Sequence, residues 1–99
     1  VLDGAFSETA IVAANDYMAI GALRALREHD LTTPDDVAVV GGDNIHLCRY
    51  VTPALTTFTK RLVDIGEASF TLLYQVVRGE KDYDTHLQLD TSLVIREST

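Results

Sequence analysis

Two short apolar runs, Ala10-Ile11-Val12-Ala13-Ala14 and Val37-Ala38-Val39-Val40, constrain this chain more than anything else in it. Both are continuous rather than alternating. A strand with one wet face alternates apolar and polar residues, whereas one covered on both faces reads as an unbroken apolar run. The unbroken pattern belongs to parallel sheets with helices on their faces. Each run stops at polar residues, Asn15-Asp16 after the first and Gly41-Gly42-Asp43-Asn44 after the second. Polar groups then stand at the carboxyl ends of neighbouring strands, the place where open α/β sheets offer a crevice.

The remaining elements follow from local chemistry. Asn15 and Asp16 are N-cap residue types, and a helix over 17–29 follows them with Ala19, Ala22, Leu23 and Leu26 on one face. Met18, Ile20 and Ala25 widen that apolar surface, as core or as a partner contact. Pro34 prevents the helix from continuing, and Gly41-Gly42 is expected to end the second strand as a flexible turn. Residues 45–53 have no clean period; 55–59 read as a third strand. The longest helix spans 61–78, with Leu62, Ile65, Gly66, Ser69, Leu72, Leu73 and Val76 as its expected buried face and Gly79 at the C′ position. Leu87 and Leu89, alternating with Gln88 and Asp90, predict a half-buried strand, and Leu93-Val94-Ile95 a last one. The order β-α-β-loop-β-α-β-β means an α/β fold with a mostly parallel sheet flanked by helices.

Several chemistries are disfavoured. A net charge of −7, with eight scattered Lys and Arg, argues against this segment gripping nucleic acid. His29, His46 and His86 have no ligand spacing, so no metal site is expected. There is no Gly-rich phosphate loop and no nucleophile elbow, so neither a cofactor nor an enzyme is expected. The single Cys48 cannot form an internal disulfide, which suits a reducing compartment, and it reads as a small buried or interface hydrophobe. Apolar runs of four to six residues are too short for a membrane. The start, Val1-Leu2-Asp3-Gly4, shows no initiator Met and no signal peptide, as expected of a fragment or a processed chain.

What remains is Asn15, Asp16 and Asp43. One of the first two is expected to cap the helix, and Asp43 could be a turn residue. The functional reading joins them: a carboxylate that accepts hydrogen bonds and an amide that donates and accepts suit a neutral polar ligand such as a sugar or nucleobase.

At these residues the chain resembles the lac repressor/gal repressor family of bacterial transcription regulators. Residues 13–23 resemble its helix-start motif, residues 34–44 its second motif, Pro53-Ala54-Leu55-Thr56-Thr57-Phe58 its third, and Leu93-Val94-Ile95-Arg96-Glu97-Ser98-Thr99 its chain ending. The resemblance implies a periplasmic-binding-protein-like fold of two α/β subdomains with effector between them. This chain would be the last third, a partial effector-binding domain over 1–99. Residues 10–57 and 85–99 would belong to the C-terminal subdomain; 58–84 would form a crossover, at Phe58 and Lys60, and a helix in the N-terminal subdomain. By the same resemblance Asn15 and Asp43 contact effector, and Met18, Ala22, Leu47, Cys48 and Tyr50 lie near a homodimer interface. Departures are Gly42 in place of an aromatic residue, Lys60 in place of a glutamine, and Asp30 where a helix-ending glycine is common. Residues 3–8 resemble the lead into a helix for which no residues remain.

The function implied is the effector-binding and dimerisation region of a cytoplasmic regulator, sensing a sugar or nucleoside-like small molecule. DNA would be bound only through a headpiece that this chain lacks. The alternative is an extracytoplasmic sugar-binding protein of the same fold serving a transporter.

Overall fold

The computed structural model describes residues 7–99, so the readings made on residues 1–4 and on most of 3–8 lie outside the described residues. The elements run β1 (Ala10–Val12), α1 (Asp16–Glu28), β2 (Ala38–Gly42), a 3₁₀ turn (His46–Arg49), β3 (Thr56–Lys60), α2 (Leu62–Val77) and β4 (Thr91–Val94). The described residues divide into two units, one of residues 7–59 and 92–99, the other of 60–91.

In the first unit the sheet order is β1-β2-β3-β4, with β1–β2 and β2–β3 parallel. Val12 faces Val40 across the first pair, and Gly42 faces Phe58 across the second. Helix α1 buries Ala19, Leu23 and Leu26 in a core shared with Val37, Val39, Cys48 and Leu55, as its period requires. It ends in a Schellman motif: Leu31 N–H donates to the Leu26 carbonyl and Asp30 N–H to that of Arg27. Asp30 takes the left-handed C′ position at φ 57°, and Leu31 packs on the core behind it.

The segment after β4 is stitched into this sheet. Ser98 N–H donates to the Ala54 carbonyl, and the Ser98 carbonyl accepts from Val39 N–H. Its hydroxyl donates to the Val39 carbonyl at 2.6 Å and accepts from Thr56 N–H at 2.8 Å. Ser98 thus supplies hydrogen bonds to β2 and β3 together, which explains why a serine side chain is fully buried.

Two expectations for the first unit change. β1 is not covered on both faces: it is an edge strand, and Val12 is 75% exposed. Gly41 and Gly42 are not a turn after β2 but its last two residues, paired with Thr57 and Phe58 of β3, and both lie against neighbours too close to admit a side chain.

In the second unit, α2 lacks a side-chain N-cap at Arg61, which instead pairs with Asp64 one turn on. Its end is a second Schellman motif, with Gly79 at φ 74°, Glu80 N–H on the Gln75 carbonyl and Gly79 N–H on that of Val76. The expected buried face is not buried: α2 has no buried residue, and Leu62, Leu73 and Val76 are exposed. The helical period identified an apolar surface, but within this unit only the chain after the helix lies against it. That chain corrects another expectation. Residues 87–90 are not a strand. Leu87 and Leu89 line a hollow of about 390 Å³ with Ile65, Ala68 and Leu72 of α2, so the apolar side of this segment is turned to the helix rather than set in a sheet. The last strand lies earlier than expected, at Thr91–Val94.

Candidate ligand-binding site

Asn15 and Asp43 each stand three residues beyond the paired positions Val12 and Val40, at the carboxyl ends of adjacent parallel strands. The two residues expected to bind ligand therefore follow neighbouring strand ends on the same edge of the sheet. Asn15 is extended, and its Oδ1 accepts a 2.9 Å hydrogen bond from Met18 N–H, which makes it the α1 N-cap. The cap uses only the oxygen; the amide NH₂ group is a different pair of donors. Asp43 is half-buried at φ 107°, and its N–H donates to the Phe58 carbonyl at 2.9 Å.

Beneath them lies a polar cluster that sequence reasoning did not assemble. Asp16, the first residue of α1, is fully buried. Its Oδ1 accepts from the Thr57 hydroxyl at 2.6 Å and its Oδ2 from Ile45 N–H at 2.8 Å. The helix N-terminus also favours a carboxylate there. Thr57 Oγ1 accepts in turn from Asn44 N–H at 3.2 Å, and Asn44 Oδ1 accepts from Arg96 Nη2 at 2.8 Å. The Asp16–Thr57 bond joins the start of α1 to β3, and the bonds to Ile45 and Asn44 fix the turn that carries Asp43. A signal for Asp16 existed: it falls on the same helical face as Ala19, Leu23 and Leu26, and a carboxylate in an apolar stripe needs partners. Its partner is 41 residues away and carries no local signature.

The two glycines of β2 fit this cluster. A Cβ on Gly41 would collide with Asp16 Oδ1, and one on Gly42 would come within 2.5 Å of Phe58 Cζ. The half-buried Phe58 ring fills the space beside Gly42, so the aromatic group missing at position 42 is supplied by the facing strand.

The other sequence-derived positions are scattered. Met18, Leu47 and Tyr50 are exposed, and Ala22 is half-buried. The His46 and Tyr50 rings meet edge to face at 5.1 Å. Of the two readings of Cys48, a buried or an interface hydrophobe, the structure shows the buried one: it has no exposed surface and belongs to the core, because the 3₁₀ turn points it inward while its neighbours point out. Burial, reinforced by the nearby Asp16 carboxylate, pushes its thiol up to about 11. Lys60 is the exposed last residue of β3. Among the described residues no group of three or more His, Cys, Asp or Glu could hold a metal ion. None of their helices is long and apolar enough to cross a membrane.

Comparison with known proteins gives this geometry a context. Residues 3–99 match the periplasmic binding protein-like domain family. Over 89 residues the chain is 43% identical to the lactose operon repressor of Rhizobium radiobacter, covering 90% of this chain and 78% of that one. It is 36% identical over 90 residues to the transcriptional repressor PurR of Pasteurella multocida, covering 91% of this chain but only 27% of PurR. Most of such a relative's length therefore lies outside the residues compared. Among solved structures, the lac repressor bound to ONPG superposes with a TM-score of 0.82 at 37% identity, over 92% of this chain and 27% of that one. A LacI family regulator from Enterococcus faecalis V583 with bound ribose gives 0.83 at 34%, over 96% and 36%. These relatives are transcription regulators rather than enzymes. The chain belongs to the lac repressor/gal repressor family, as the C-terminal part of its periplasmic-binding-protein-like effector domain.

Proposed function

We propose that this chain forms one wall of the effector cleft of a cytoplasmic transcription regulator that acts as a homodimer. The effector is a sugar or nucleoside-like molecule, and operator DNA is bound by a headpiece outside this chain. The observation that carries the reading is the fixed placement of Asp43. Half-buried Asp43 stands one residue past the end of β2, its backbone held to β3, with Asn15 beyond the end of the neighbouring strand. Two rigid polar groups at adjacent strand ends suit hydroxyls or ring nitrogens of a small ligand. Relatives described with cellobiose and with ribose support the ligand class.

In this reading residues 58–84 form the crossover, at Phe58 and Lys60, and a helix packed in the N-terminal subdomain, which accounts for the exposed apolar surface of α2. Exposed Met18, Leu47 and Tyr50, with Ala22, form the dimer contact, and buried Cys48 supports that surface from below. Effector binding biases two states of the regulator by its different affinity for each.

The test is calorimetry of the full-length protein with ribose, cellobiose and adenosine. Asp43→Asn keeps a residue that tolerates positive φ and removes the charge. It should weaken binding of whichever compound the unmodified protein takes by about tenfold or more; unchanged affinity would refute the assignment.

A further inference from the structure

We propose that Arg96 is a positioning residue for the ligand-contact turn, holding Asn44, and through it Asp43, at the carboxyl end of β2. The inference rests on the reading of Asp43 as a ligand contact and adds to it a residue from a distant part of the chain. Asp43 and Asn44 are consecutive non-glycine residues at φ 107° and 55°. L-residues rarely occupy that region, and two in succession need support from outside the turn. The backbone supplies part of it, through Asp43 N–H on the Phe58 carbonyl and Asn44 N–H on Thr57 Oγ1.

The side-chain support comes from Arg96, whose Nη2 donates to Asn44 Oδ1 at 2.8 Å. Its other terminal nitrogen, Nη1, donates to the Leu55 carbonyl at 2.8 Å, and its backbone N–H donates to Thr56 Oγ1 at 2.8 Å. The guanidinium is planar, so with Nη1 seated on the Leu55 carbonyl the direction of Nη2 is set. Arg96 thus references the position of Asn44 to the backbone just before β3 from 52 residues away in sequence. An ammonium group is a point charge on a flexible stem and cannot hold both acceptors in that fixed relation. The same strand supplies Thr57 to the Asn44 N–H, so the turn is anchored to β3 through both its backbone and its side chain.

The test uses full-length protein and hydrogen exchange read on peptides covering 41–46 and 37–40. Asn44→Gly keeps the left-handed turn and removes the carboxamide with its acceptor; Asn44→Asp keeps the acceptor. Arg96→Met and Asn44→Gly should each speed exchange in 41–46 about tenfold while 37–40 keeps its unmodified rate, and Asn44→Asp should retain protection. The double variant should be no faster than either single one, because both remove one interaction. Unchanged exchange, additive effects, or equal acceleration across both peptides would overturn the proposal. In calorimetry, with whichever of ribose, cellobiose and adenosine binds, Arg96→Met should raise Kd about tenfold. If Asp43→Asn loses binding and Arg96→Met does not, positioning by Arg96 is wrong. If Asp43→Asn binds normally, the ligand site itself is misassigned, and the proposal falls with it.

Discussion

Asp16, the first residue of α1, accepts a 2.6 Å hydrogen bond from the hydroxyl of Thr57 in the middle of β3, with both side chains out of contact with water. A buried carboxylate is tolerated only when its lone pairs are engaged, and here the two oxygens take different partners, Thr57 and the Ile45 amide. The turn that carries Asp43 and the start of α1 are therefore held from beneath, by hydrogen bonds buried away from solvent.

Asp16→Ala should cost about 2–4 kcal/mol in urea unfolding, because the Thr57 hydroxyl and the Ile45 N–H both lose their acceptor in a dry site. Thr57→Val, which keeps the shape, should cost about 1–2 kcal/mol. The double variant should fall short of the sum, and strict additivity would show that the two groups do not interact.

Gly42→Ala should destabilise by about 1–3 kcal/mol through the clash with the Phe58 ring. Phe58→Leu removes the ring atoms that the new methyl meets. Combining the two should recover part of the loss, measured as Tm against each single variant. No recovery would mean that Phe58 is not what confines position 42.

Asp30→Gly should stabilise by roughly 0.5–1 kcal/mol, since Asp30 occupies the left-handed C′ position of α1 at φ 57° without the freedom of glycine. A rise of Tm would be the readout. A fall would indicate that the Asp30 side chain contributes more than its backbone conformation costs.

Cys48 should titrate far above its ordinary value near 9, at about 11, because burial disfavours the thiolate and Asp16 opposes it further. A thiol whose folded value is raised binds its proton more tightly in the folded state. The stability it supplies is whole below pH 9 and is lost as pH rises toward 11. Denaturant midpoints should accordingly fall across that window in the unmodified protein and less in Cys48→Ala. Iodoacetamide at pH 8 should leave the native thiol unlabelled.

Residues 1–99 produced by themselves should self-associate. Leu73, Val76 and Val77 of α2 and Val12 of edge strand β1 are all exposed apolar groups. Light scattering would report this, and a monodisperse monomer would contradict it.

What could be read in the sequence was what neighbouring residues decide among themselves. The α1 period, the Asn15 cap, the Gly79 stop and the continuous core of β2 all depend on contacts within a few residues. The apolar face of α2 was legible too, but periodicity reports which side of a helix is apolar, not what lies against it. Leu87 and Leu89 misled for a related reason, since a two-residue alternation fits a chain lying on a helix as well as one in a sheet. The candidate site was half legible. Asn15 and Asp43 sit at strand ends, whereas Asp16–Thr57 and Asn44–Arg96 join positions 41 and 52 residues apart.

The insertion of Ser98 against β2 has a consequence for how the chain is made. Its hydroxyl meets the Val39 carbonyl from 59 residues further along the chain, so β2 leaves the ribosome well before the group that completes its hydrogen bonding. At roughly 5–20 residues per second, that interval is about 3–12 s. For that time the nascent strand carries an open edge, and synthesis rate as well as sequence sets how long it stays available for mispairing.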